Sequence, residues 1–198
     1  TPYLFDGHKI RRNCVLSIEG EYIAQIEQFN HPSDTDTFIT PAWIDAHSHI
    51  GMSREGEPDS ESEDNDESNL FLPLINPLNS IYFDDRAFQD AVDFGVLYSC
   101  VVPGSGNVLG GQAKAIRNFV PNRKNALVAD IGFKMALGYN PRSTSDWKGD
   151  RPNTRMGVYS LLERRFEEIL QKKRKCQIDL DQDLAELDIE KNESKMDE

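Results

Sequence analysis

Between residues 84 and 138 the chain switches repeatedly between two hydrophobic periods, and this alternation limits the folds open to it more than any other feature. The stretch "DDRAFQDAVDFG" has an acidic first turn, apolar Phe88, Ala91 and Val92 at helical spacing, and Gly95 as a stop. Next comes "VLYSCVV", a near-continuous apolar run of the kind found in a parallel strand buried on both faces. A glycine-rich loop, "PGSGNVLGGQ", leads to "KAIRNFV", which takes the place of the next helix, and "ALVADIGFKMALG" supplies a further apolar piece. The turn-rich "YNPRSTSDWKGDRPN" then precedes a strongly amphipathic helix, "TRMGVYSLLERRFEEILQKKRK". Strand, loop, helix and strand in this order indicate an α/β fold around a parallel sheet.

The first 38 residues read differently. Two β-rich pieces, "CVLSIEG" and "EYIAQIEQF", are split by Gly20 and closed by "NHPSDTDT", which suggests a small β-domain. Two or three strands are marginal alone, so these need further strands or a neighbouring domain to pack on. Residues 55–67 are dominated by carboxylates, eight of the thirteen being Asp or Glu, and are expected to form a solvated, mobile loop. They lack the central glycine and terminal glutamate of an EF-hand, which excludes that kind of calcium loop. Residues 171–198 are expected to be a charged linker or tail.

Bulk properties exclude several functions. A net charge of −12 is the wrong sign for a nucleic-acid partner. No apolar run approaches the roughly 20 residues of a membrane span, and the first residues lack the pattern of a signal peptide. The cysteines Cys14, Cys100 and Cys176 are few and widely scattered, which fits a reducing compartment and a cytoplasmic location. A mean hydropathy of −0.59 indicates that part of the length stays in water.

Chemistry concentrates in two places. In "ITPAWIDAHSHIG" an apolar run ends in two histidines one residue apart; if the run is a strand, Asp45, His47 and His49 project to one side. Neutral imidazole is a preferred ligand of zinc and similar divalent ions, so His47 and His49 are candidate ligands to one metal. The loop "PGSGNVLGGQ" follows a strand but spaces its glycines as GxGxxxG, which fails the Rossmann fingerprint, and it lacks the GK[ST] of a Walker loop. Its glycines do allow several backbone N–H groups to face a substrate carboxylate or a developing oxyanion.

These motifs carry a resemblance. "PAWIDAHSHIG" resembles the first barrel strand of the amidohydrolase superfamily, "PGSGNVLGGQ" is similar to a segment of its imidazolonepropionase-related branch, and "FKMALGYNP" and "PNTRMG" resemble two later segments of that branch. The acidic loop and the following Asn76-Pro77 also have counterparts there, so the resemblance covers roughly residues 4–170. It implies a (β/α)8 TIM barrel, of which only the first strands are present within residues 39–170, beside a small N-terminal β-sandwich domain. It further implies a zinc or other divalent metal ion held by His47 and His49, with Asp45 orienting a ligand. Gly104, Ser105, Asn107, Gly111 and Gln112 become candidate substrate-binding residues, and Lys134 a candidate bridge between two metals. The implied activity is hydrolysis of C–N bonds in cyclic amides or related non-peptide small molecules, with water activated by the metal.

The departures are equally specific. No histidine follows His49, nothing marks the family's late aspartate, and Tyr139 stands where the branch has glutamate. The expectation is an N-terminal part of a longer hydrolase, completed by the remaining C-terminal part of the barrel and inactive alone. Uncovered edges are expected to bring copies together, homo-oligomers included. The alternative is an amidohydrolase-like structural or interaction protein that has lost catalysis.

Overall fold

The computed structural model describes residues 1–32, 35–54, 56–66, 68–142 and 151–196. Parts of three expected loops, namely residues 33–34, residues 55 and 67 of the acidic stretch, and residues 143–150, lie outside them, as do the last two residues of the tail.

The described residues fall into two units. The first comprises Thr1–Asp59, Ile81–Val101 and Lys114–Ile131. It opens with β1 (Tyr3–Phe5), which pairs antiparallel with β2 (Ile10–Arg12) and parallel with β5 (Phe38–Ile39). The β1–β2 turn is tied by Asp6, whose carboxylate accepts from the N–H groups of His8 and Lys9 at 3.0 and 2.9 Å and from Arg11 Nε at 2.9 Å. These bonds favour the charged form and hold the Asp6 carboxyl down at about 2. A separate antiparallel hairpin joins β3 (Cys14–Glu19) to β4 (Tyr22–Gln28), as the two β-rich pieces lead one to expect.

β6 (Trp43–Ser48) begins the sheet that carries the histidines, a four-stranded sheet in the order β6, β7, β8, β9. Its partner β7 (Val96–Val101) runs parallel to it, and α1 (Arg86–Asp93) lies between them in sequence. α1 starts where Asp85 accepts from the Ala87 N–H at 2.8 Å; the acidic residue is thus the N-cap, outside the first turn. Phe88 is the buried residue of its apolar side.

The next strand corrects the sequence reading. "KAIRNFV" is not helical: β8 (Leu109–Arg117) takes in its first four residues and runs antiparallel to β7, with Tyr98 opposite Arg117 and Val101 opposite Lys114. A parallel return needs a crossover of a dozen or more residues. The short stretch 102–108 allows only a direct reversal, so the sheet is mixed. α2 (Arg123–Ala126) and β9 (Leu127–Met135) follow, and Lys114 on β8 pairs with Asp130 on β9. The described residues thus form a mixed α/β fold with several sheets, and no closed barrel is found among them. β6 and β9 end the strand order, and Ile44 and Ile131 on them are well exposed.

The second unit comprises Ser60–Ser80, Val102–Ala113 and Gly132–Glu198. Its core is Leu70, Val108 and Val158, with Phe71, Leu137, Leu161 and Leu162 packed against them. Val158, Leu161 and Leu162 belong to α3, which runs Arg155–Met196. Residues 177–196, expected as a loose tail, continue this helix: they contain no proline or glycine to stop it and are rich in Leu, Glu, Gln and Lys.

Candidate metal and substrate site

In the first unit, β6 delivers its histidines through an irregular end. Asp45 stands opposite Ser99 and Ser48 opposite Val101, with a shift of register between them that falls at His47. Such an irregularity bends a strand and re-aims a side chain. Asp45 Oδ1 accepts from the backbone N–H of His47 at 3.1 Å, and Ser48 Oγ from that of Ile50 at 3.2 Å, so short polar side chains fix the backbone where the strand ends. The chain then turns at Gly51, where the Met52 N–H reaches the His49 carbonyl at 3.0 Å and the Gly51 carbonyl receives the Tyr82 N–H at 2.8 Å. Gly51 has φ +74°, and a Cβ there would meet Phe88 at 2.7 Å and Ile81 at 3.0 Å. Glycine is therefore required for the loop to close against α1.

The two imidazoles lie side by side, His47 on the irregular end of β6 and His49 just beyond it. Their ring centres lie 5.3 Å apart with planes at 85°. Rings that hold one ion through nitrogens at about 2.0–2.1 Å in tetrahedral directions have centres roughly 5 Å apart, so the pair fits two ligands of a single divalent ion. Among the described residues no group of three or more His, Cys, Asp or Glu is arranged to hold a metal. Asp45 acts on the backbone of His47, which is a more local form of orientation than the expected one. Cys100 was not singled out from the sequence, because a cysteine within "VLYSCVV" reads as part of a buried strand. Burial pushes its thiol up, and the negative charge of Asp45 adds to this, which keeps the thiol neutral.

In the second unit, the glycine-rich loop is tied to the acidic stretch. Gly104 N–H donates to the Asp64 carbonyl at 2.6 Å and Gly106 N–H to Asn65 Oδ1 at 2.8 Å. Asn107 is buried, and its amide Nδ2 donates to the carbonyls of Asp66 and Asn69 at 2.7 and 2.6 Å. Gln112 N–H donates to the Ile75 carbonyl at 2.8 Å. Donors that sequence reasoning aimed at a substrate are thus engaged within the protein. Residues 64–66 of the acidic stretch are thus tied to the glycine-rich loop by hydrogen bonds. Gly111, at φ +126°, lies so close to Ile75 that a Cβ would come within 2.8 Å of its carbonyl oxygen. Ser105 accepts from Asn140 Nδ2 at 2.9 Å and keeps part of its surface open, as does the side chain of Gln112.

Lys134, on β9, is half-buried, and burial holds its amine below the usual lysine value. Tyr139 is exposed, with the Arg142 guanidinium 4.9 Å above its ring.

Comparison with known proteins supports a relationship to the amidohydrolases. The curated amidohydrolase tasK of Hapsidospora irregularis is 28% identical over 141 residues, spanning 65% of this chain and 14% of that protein. A crystal structure of an amidohydrolase from Thermotoga maritima MSB8 superposes with a TM-score of 0.69 at 26% identity, covering 82% of this chain and 44% of that one. The chain thus spans less than half of either relative. No family model matches it. No helix among the described residues is long and apolar enough to cross a membrane.

Proposed function

We propose that this chain supplies the metal-binding first strand and a substrate loop of a cytoplasmic hydrolase of the amidohydrolase type, related to the imidazolonepropionase branch, that cleaves C–N bonds in cyclic amides or similar small molecules. The observation that carries the reading is the pair of imidazoles at the end of β6, 5.3 Å apart and matched to one tetrahedral ion. Zinc or another divalent ion there supplies Lewis-acid polarisation and lowers the pKa of water. His47 and His49 hold the ion, and Asp45 fixes the strand end from which His47 projects. Ser105 and Gln112 offer polar side chains to a substrate, while Gly104, Asn107 and Gly111 shape the loop that presents them. Lys134, whose amine burial holds below the usual lysine value, is the candidate bridge between two metals. A catalytic zinc site normally takes three protein ligands, so further ligands come from the remaining barrel strands.

The test is the metal content of the protein in its complete chain, wild type against His47→Ala/His49→Ala, together with hydrolysis of a panel of cyclic amides. Loss of bound zinc and of hydrolysis in the double variant is expected. Equal metal content in both proteins removes the reading, and metal binding without hydrolysis of any substrate favours a binding protein on the same fold.

A further inference from the structure

A cavity of about 420 Å³ in the first unit is lined along α1 and by residues 118–121. None of its residues is among the metal or substrate candidates, so it is a separate site. Phe83, Phe88 and Phe119 give it aromatic walls, the first two stacked with ring centres 5.6 Å apart. Two polar side chains at the cavity are deeply buried: Asp85 is 8% exposed and Asn118 3%. Asp85 Oδ1 caps α1 by accepting from the Ala87 N–H at 2.8 Å, and Asn118 Nδ2 donates to the Val96 carbonyl and to Ser99 Oγ, both at 2.9 Å. The Val96 carbonyl fixes which end of the amide is nitrogen, so the remaining atom is an acceptor. Asp85 Oδ2 and Asn118 Oδ1 are thus left buried, with no donor among the described residues.

Buried acceptors without donors are rare in folded proteins, and two bordering one cavity point to a ligand that supplies the donors. The other polar side chains there are engaged: Asp84 pairs with Arg54 at 2.6 Å, Arg86 with Asp90 at 3.5 Å, and Gln89 Nε2 donates to Asp93 at 2.7 Å. The carboxylate favours a donor that is positively charged, and phenyl faces attract cations as well. A hard metal ion takes about six oxygen ligands, which two oxygens among aromatic rings do not supply. A primary ammonium group on a hydrocarbon body does match. Its N–H donors serve both oxygens while its carbon chain lies against the rings.

We propose that this cavity binds a small organic ammonium ion, a protonated primary amine with an alkyl body, whose N–H groups donate to Asp85 Oδ2 and Asn118 Oδ1 while its carbons pack against Phe83, Phe88 and Phe119. A volume of about 420 Å³ is in the range of small-molecule sites. Primary alkylamines are protonated at pH 7, since their pKa is close to the roughly 10.4 of a lysine side chain.

Titration of the complete chain with n-pentylammonium chloride at pH 7, followed through amide chemical shifts, tests this. Shifts centred on α1 and residues 118–121 are expected, saturating by roughly 10 mM. The alcohol n-pentanol, with the same body and no charge, is expected to bind at least about tenfold more weakly. Asp85→Asn keeps an N-cap side chain and removes the charge, so the helix is expected to persist by circular dichroism while affinity falls at least about tenfold. Val92→Phe fills the apolar part of the cavity and is expected to abolish the shifts. Absence of binding overturns the proposal and leaves water as the partner of both oxygens. Equal affinity for the alcohol, or binding that survives either substitution, overturns it as well. Nα-acetyl-lysine amide carries the same ammonium on a peptide unit, and tighter binding of that compound than of n-pentylammonium overturns the small-molecule reading in favour of a protein side chain.

Discussion

Asn107 is one of five residues at which sequence reasoning located substrate contacts, and it shows how a side chain can be right in place and different in role. It is buried, and its amide spans two carbonyls of the acidic stretch, at 2.7 and 2.6 Å. No local pattern reveals this, because Asp66 and Asn69 are some forty residues earlier in the chain. Asn107→Ala removes two hydrogen bonds made by a buried amide and is expected to cost about 1–3 kcal/mol, with faster hydrogen exchange across residues 64–70. Gly51→Ala forces a Cβ into Phe88 at an unfavourable φ, and is expected to lower stability by about 2 kcal/mol in urea unfolding. Asp6 makes a prediction with a definite sign. Its folded value, about 2, lies below the unfolded 3.8, so its contribution to the β1–β2 turn is complete above that range and is lost as pH falls through about 2. A titration of the His8 and Lys9 amide resonances is expected to show this midpoint, and Asp6→Asn to abolish it.

At the scale of elements, α1, β3, β4, β6, β7 and β9 follow patterns that are visible in the sequence, because each carries a period of its own. Asp85→Ala deletes the N-cap of α1 and is expected to cost about 1 kcal/mol, read as a drop in the melting temperature. β8 was not legible in the same way. Its "GGQAKAIR" has helix-compatible residues, and what makes it a strand is the row of open hydrogen-bonding groups along β7, which a short loop brings within reach. α3 was legible up to the basic block. Beyond it charge density suggests a tail, whereas helical propensity without a breaking residue extends the helix to Met196.

For the molecule as a whole, exposed apolar strands and low charge at acidic pH act together. With a sequence pI near 4.8 and a net charge of −12 at pH 7, repulsion between copies falls as the pH is lowered. Light scattering is expected to rise between pH 7 and 4.8. Replacing exposed Ile44 and Phe133 by lysine is expected to reduce that scattering and the binding of a hydrophobic dye, since these residues stand on the strands at the two ends of the sheet.

The strands β6, β7 and β9, the helix α1 and the histidine pair were determined by sequence alone, because periodicity and ligand type are properties of neighbouring residues. The antiparallel turn into β8, the capture of the acidic stretch by Gly104, Gly106 and Asn107, and the close seat of Gly51 against Phe88 were decided only in the tertiary structure. Each depends on a hydrogen-bonding partner or a packing surface supplied by residues far away in the chain, and a backbone group that must be satisfied takes the partner the fold brings to it.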